Sequence, residues 1–247
     1  MTGSSVAEAE ISEAIAAERW DLADVLGGLP APSWDAPTLC VRWRVREVVA
    51  HVTMPFRCST PRFVAELIKS GGKFDRMADR CARQDAQVDT DKLVSALRDN
   101  ARYTWKPPVG GFEGALIHGV IHGLDFTVPL GIDRLVPEQR LRIVLHGITK
   151  PKPLKFFGAD LRGIELRADD IDWSFGSGTP SSAPRRTWRW SCAAEHCRPG
   201  GCEAHRQHGS PIREPVTSPA RQPWGYAGAF ADPDTHVWMV RSAAPAP

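Results

Sequence analysis

Apolar residues recur along the first 150 positions at spacings of three and four, and that recurrence predicts a run of helices. A first helix spans about 6–26, where Ala, Glu, Leu and Arg dominate, and stops at the breaker "GGLPAP". A second spans about 45–53, with Val45, Val48, Val49 and Val52 on one stripe. A third covers about 61–83, with a possible break at Gly71-Gly72, and a fourth covers 90–102 with Leu93, Val94 and Leu97 on one face. The segment "ALIHGVIHGLDF" (115–126) is apolar nearly all round, which places it in an interior. A last helix over about 137–148 begins with Pro at a first-turn position, which suits a helix start. Five or six helices joined by short connections pack most simply as a bundle. The expected class is therefore mainly α, over residues 1–150.

Beyond Pro153 the period changes from helical to two. Ile164, Leu166 and Ala168 alternate with charged residues, and Ile171, Trp173 and Phe175 alternate with polar ones. This predicts a small β-hairpin, the start of a C-terminal subdomain at 151–180. The tail changes again: residues 181–247 contain no Leu and no Lys and are rich in Arg, Pro, Ala and Gly. No sustained period is visible there, so an irregular, poorly ordered extension is expected.

Composition adds little to this picture. The 247 residues are 42% hydrophobic and 24% charged with a net charge of +2, which gives no reason to expect nucleic acid or a membrane as partner. No apolar run approaches the roughly 18 residues that span a bilayer, and the N-terminus lacks a signal-peptide pattern, so a cytoplasmic protein with free thiols is expected. "CAAEHCRPGGC" has Cys192, Cys197 and Cys202 at spacings unlike those of a zinc finger or ribbon, and is set aside as a metal site.

The chemistry concentrates in two segments. His118 and His122 stand at i and i+4 on one helical stripe, and Asp125 continues it at i+7. Gly119 and Gly123 leave room for a neighbouring helix. Two buried imidazoles need partners for their ring nitrogens; they serve either one metal ion or a pair of hydrogen-bonded core histidines. A third ligand would favour the metal. His51, one turn beyond Val48 on the second helix, is the best placed, and His146 is a further possibility.

"SWDAPTLCVRWRVREVVAHVTMP" (33–55), followed some sixty residues later by the histidine segment, resembles the DinB-like metal-binding four-helix bundle superfamily. It is most similar to the mycothiol-dependent maleylpyruvate isomerase family, over roughly residues 10–150. The resemblance implies metal ligands at His51, His118 and His122, with mycothiol as thiol cosubstrate and a small electrophilic molecule as substrate. It implies an isomerase or thiol-transferase activity; a non-catalytic metal-binding bundle or an inactive family member is the alternative. The characterised isomerase type carries Glu where this chain has His118. Three neutral imidazoles leave the full charge of a divalent ion, zinc being the expected one, to acidify a thiol or water at an open coordination position.

Other polar residues near these segments carry two readings each. Asp125 could orient a ligand imidazole or serve the helix end. Glu47 is expected on a solvated face, Cys40 as a small buried hydrophobe, Trp34 and Trp43 as packing residues, and the Arg run "VRWRVRE" in solvent. The resemblance also implies a helix after "GSG" that the printed tail lacks. Read one nucleotide earlier, with suitable wobble bases, the tail from about Ser181 can give VVGAAEDLALVLCGRTLPPGRLRG, an amphipathic helix and a turn. Residues 181–247 are thus expected to be out of frame.

Overall fold

Among the described residues the helical stripes form helices α1 (Gly3–Gly27), α2 (Val45–Arg57), α3 (Thr60–Lys69), α4 (Phe74–Asp85), α5 (Thr90–Asp99), α6 (Gly111–Thr127) and α7 (Glu138–Ile148), and a short α8 (Pro151–Phe156) follows them. A short 3₁₀ turn, Ala31–Asp35, follows α1. The computed structural model describes residues 3–40, 42–107, 110–156, 161, 164–168, 171–177, 179–183, 215–222, 225–231 and 237–242.

Local chemistry sets most of these boundaries. Gly71 and Gly72 adopt left-handed φ of 66° and 73°, which separates α3 from α4 where a break was expected. Ser59 and Asp89 cap α3 and α5, accepting from Arg62 N and Asp91 N. Two elements differ from expectation. Helix α2 runs past Pro55 to Arg57, because a proline removes a single N–H and the flanking packing retains the turn. The short α8 carries no amphipathic period over its six residues and was not foreseen.

Helix α6 is the axis of the bundle and packs against α1, α2 and α7. Its Gly123 lets α1 approach so closely that a Cβ there would stand 2.7 Å from Leu22 Cδ2. One core, containing Leu22, Leu26, Trp34, Val45, Val49, Leu93, Leu97 and Phe126, joins α1, α2, α5 and the end of α6. A second joins α6 and α7, and Ile171 and Trp173 pack into it from the hairpin. Cys40, Cys58 and Cys81 are free thiols.

The hairpin forms, in a larger sheet. Strands β1 (Ile164–Ala168) and β2 (Ser174–Gly176) are antiparallel, with Leu166 opposite Phe175, and β3 (Thr179–Ala183) adds to β1 in parallel. In the tail, β4 (Pro215–Gln222), β5 (Gly225–Ala231) and β6 (Val237–Ser242) form an antiparallel sheet in that order. These three segments are strands where an irregular tail was expected. Val, Trp, Tyr and Phe favour strands at 226–240, but Gly and Ala interrupt the period there, so no alternation marks these strands in the sequence. Cys192, Cys197 and Cys202 lie outside the described residues.

Candidate metal centre

His51 stands on α2 behind the apolar stripe of Val45, Val48 and Val49, all of it buried. His118 and His122 stand on the facing side of α6, one turn apart. The predicted trio is brought together: a ligand atom from each histidine lies within 4.8 Å of the other two. His51 Nε2 and His118 Nε2 are 3.1 Å apart. Nitrogens at about 2.0–2.1 Å from a tetrahedral ion would be roughly 3.3 Å apart, so this donor set fits a divalent cation of zinc's size. His146 is exposed on α7 and takes no part. His196, His205, His208 and His236 lie outside the described residues.

Polar and aromatic neighbours fix the rings. Asp125, itself 2% exposed, places Oδ2 3.1 Å from His122 Nδ1. The nitrogen of His122 that would meet an ion is then Nε2. Trp43 packs on His51 at 5.1 Å between centroids, and Trp105 on His118 at 5.3 Å. Trp43 Nε1 donates to Asp79 Oδ1 at 2.8 Å, so the indole that shapes the His51 side is itself tethered to α4. Of the three histidines only His118 retains appreciable exposure. Approach from solvent is therefore on its side, beside Trp105.

Charge in the pocket is unevenly distributed. Burial pushes His118 well below the usual imidazole range, and the charges of His122 and Arg19 push it the same way. Burial also opposes charge on His122, but hydrogen bonds to Asp125 and Cys40 outweigh it and raise His122 to about 10 in the metal-free centre, so a cation binding at Nε2 would displace the proton there. Arg19 is buried on α1. Its Nη1 donates to the carbonyls of Asn100, Ala101 and Tyr103 at 3.0, 3.0 and 2.8 Å, closing the end of α5. Its guanidinium lies 4.7 Å from the Phe56 ring centroid, and burial lowers it to about 10.

Several single-residue expectations change. Glu47 is not on a solvated face: 4% exposed, it accepts from Arg44 N at 2.8 Å and closes the start of α2. The Arg run is only partly in solvent, since Arg44 bridges Asp35 and Glu47 and Arg46 donates to the Ala86 carbonyl at 2.8 Å. Cys40 is buried as expected, yet its Sγ lies 3.2 Å from Asp125 Oδ2. Cys40, His122 and Asp125 thus form a second cluster, sharing His122 with the first. Trp105 and Arg19 were not singled out from the sequence. Nothing in "YTW" or "AERW" signals that the fold carries them to α6.

Fold and site together define a helical bundle with a buried three-histidine centre capable of holding a metal. Within it, residues 15–105 match the family model of the mycothiol maleylpyruvate isomerase N-terminal domain. The match spans most of α1 through α5 and includes His51; His118 and His122 lie beyond it. Uncharacterized proteins from two strains of Mycobacterium tuberculosis are each 27% identical over 201 residues, covering 69% of this chain and 77% of theirs. A crystal structure of the mycothiol-dependent maleylpyruvate isomerase aligns at 14% identity and a TM-score of 0.47, covering 72% of this chain and 85% of that one. A histidine-to-alanine mutant of the same enzyme aligns at 15% identity and a TM-score of 0.46.

Proposed function

We propose that this protein is a metal-dependent enzyme that uses mycothiol, of the isomerase or thiol-transferase type, with His51, His118 and His122 as the ligands. The observation that carries the reading is the convergence of three imidazoles from two helices, with Asp125 orienting one of them. A divalent ion held there supplies Lewis acidity at neutral pH, enough to stabilise a thiolate or acidify water. Zinc suits the donor set, being redox-inert and at ease with imidazole.

The chain's own residues do the rest. Asp125 holds the proton on His122 Nδ1, so that Nε2 faces the centre. Trp43 and Trp105 hold the His51 and His118 rings by contact, and keep water from their flanks. Arg19 leaves a positive charge beside the centre, which favours a thiolate and an anionic electrophile over neutral ones. Small molecules, a thiol and an electrophile, are thus the expected partners.

Elemental analysis of the purified protein tests the centre. About one equivalent of zinc or a related ion is expected in the wild type, with near-complete loss in His118→Ala and His51→Ala; retention in both variants rejects the ligand set. A mycothiol-consumption assay with electrophilic substrates then separates an enzyme from a bundle that only binds metal.

We extend the same reading to the tail. A C-terminal region out of frame from about 181 would leave the bundle and its histidines intact while replacing the chain beyond the hairpin. Nucleotide sequence through the codons for 179–183, with transcript support for the printed frame, would remove that part of the reading.

A further inference from the structure

The contact between Cys40 and Asp125 lies one step outside the three histidines, and the metal reading does not use it. Cys40 is 2% exposed and sits in the loop that leads into α2. That loop is anchored locally: Thr38 Oγ1 donates to the Trp43 carbonyl at 2.8 Å and accepts from Cys40 N at 3.1 Å. It is also tied to α6, since Leu39 N donates to the backbone carbonyl of Asp125 at 2.9 Å. The Cys40 side chain is thereby delivered to the meeting point of His122 and Asp125. Its Sγ lies 3.2 Å from Asp125 Oδ2, the same oxygen that stands 3.1 Å from His122 Nδ1.

Two donors sharing one carboxylate oxygen restrict that carboxylate more than either would alone. A short Asp side chain has two rotatable bonds, and a single contact to Nδ1 would allow it to swing or to offer its other oxygen. The thiol is a weak donor, so its contribution is directional, and it packs like a small hydrophobe where a hydroxyl would add polarity to the core. Groups behind a ligand histidine set its tautomer and ring orientation, and changing them alters metal affinity by about 10–100-fold.

We propose that Cys40 is a positioning residue of the metal centre: its thiol donates to Asp125 Oδ2 and holds that carboxylate on His122 Nδ1, which presents Nε2 of His122 to the ion. The assignment rests on the three-histidine reading above. It makes Cys40 neither a nucleophile nor a ligand.

The test is the zinc dissociation constant, measured by competition with a chromogenic chelator, together with the cobalt(II) ligand-field spectrum. Wild type, Cys40→Ala, Cys40→Val, Cys40→Ser, Asp125→Ala and the Asp125→Ala/Cys40→Ala double variant are compared. Cys40→Ala and Cys40→Val are expected to weaken zinc binding by about 3–10-fold, less than removal of the carboxylate itself. Cys40→Ser, which keeps a donor, should stay within about twofold of wild type. In the Asp125→Ala background the Cys40 substitution should cost clearly less than in wild type, because the carboxylate it acts through is gone and only its contact with His122 remains.

A packing role gives a different pattern. Cys40→Val would then match wild type, and the Cys40→Ala cost would appear undiminished in both backgrounds; either result overturns the assignment. A sulfur-to-cobalt charge-transfer band that disappears in Cys40→Ala would make the thiol a ligand and overturn it too. If wild type binds zinc and His118→Ala does not, but Cys40→Ala and Cys40→Val both bind like wild type, only the Cys40 assignment falls. If wild type binds no zinc, or His118→Ala binds it equally well, the three-histidine reading falls and takes this assignment with it.

Discussion

At the scale of single residues, burial decides what a polar side chain can do, and Glu47 shows it outside the metal centre. Burial works against its charge, but the Arg44 side chain and backbone hydrogen bonds more than compensate and lower its pKa. A carboxyl held below its unfolded value of about 4.3 contributes stability that is present above that pH and lost as pH falls through the folded value. Glu47→Gln keeps the shape and one acceptor but removes the charge. It should cost about 1 kcal/mol at pH 7, the usual size of a helix-cap loss. The deficit relative to wild type should shrink as pH is lowered from 5 towards 3, read from urea midpoints across that range. A deficit that stayed constant over the same range would show that Glu47 acts by shape alone.

At the scale of elements, the close approach of α1 to α6 gives the bundle its interior. A methyl on Gly123 would meet Leu22 Cδ2 at 2.7 Å and Arg134 Nη1 at 3.2 Å. Neither can easily yield: Leu22 is fully buried, and Arg134 Nη2 is held by Glu18 Oε1 at 2.6 Å. Gly123→Ala gains about 1 kcal/mol of helix propensity and loses typically 1–3 kcal/mol to overpacking. A net fall in thermal midpoint is therefore expected, with the zinc stoichiometry retained, and a rise in midpoint would show that α1 can move aside. Gly119 faces the same helix more loosely, with a Cβ 3.3 Å from Glu18 Cγ, so Gly119→Ala should be the milder of the two.

The glycines are also where the sequence was most legible. "IHGVIHGLDF" carries the periodicity of an interior helix, the room for a neighbour and both histidines in one line, and α6 matches it. The break at Gly71-Gly72 and the hairpin were legible for the same reason, since local backbone chemistry decides them. What stayed hidden depends on distant partners. Trp105 and Arg19 reach the histidines only through the packing of the α5–α6 connection and α1, and no local pattern encodes that meeting. Cys40 could be placed before α2 from its motif, but its distance to Asp125 is set by how the loop docks on α6.

At the scale of the whole molecule, the candidate metal centre and the tail draw on different stretches of the chain. The described buried clusters draw on residues up to Trp173, and all three candidate ligands precede residue 123. The hairpin is attached to the bundle by Ile171 and Trp173 in the second core and by Arg142 Nη1, which donates to the Asp172 carbonyl at 2.9 Å. The compositional break near 181 falls inside β3, which pairs with β1 through main-chain groups over 179–183. Main-chain pairing is indifferent to most side-chain changes, so a strand can continue across a break in composition. A chain ended after residue 183 should therefore keep its zinc stoichiometry and affinity within about twofold, and its thermal midpoint within a few degrees, since sites without shared partners behave additively. Under the proposed function, mycothiol turnover is the quantity open to change, because the exposed edge of the histidine cluster is at His118, beside Trp105. Loss of zinc in the shortened chain would show instead that residues beyond 183 support the histidines, and the centre would then belong to the whole fold and not to the bundle alone.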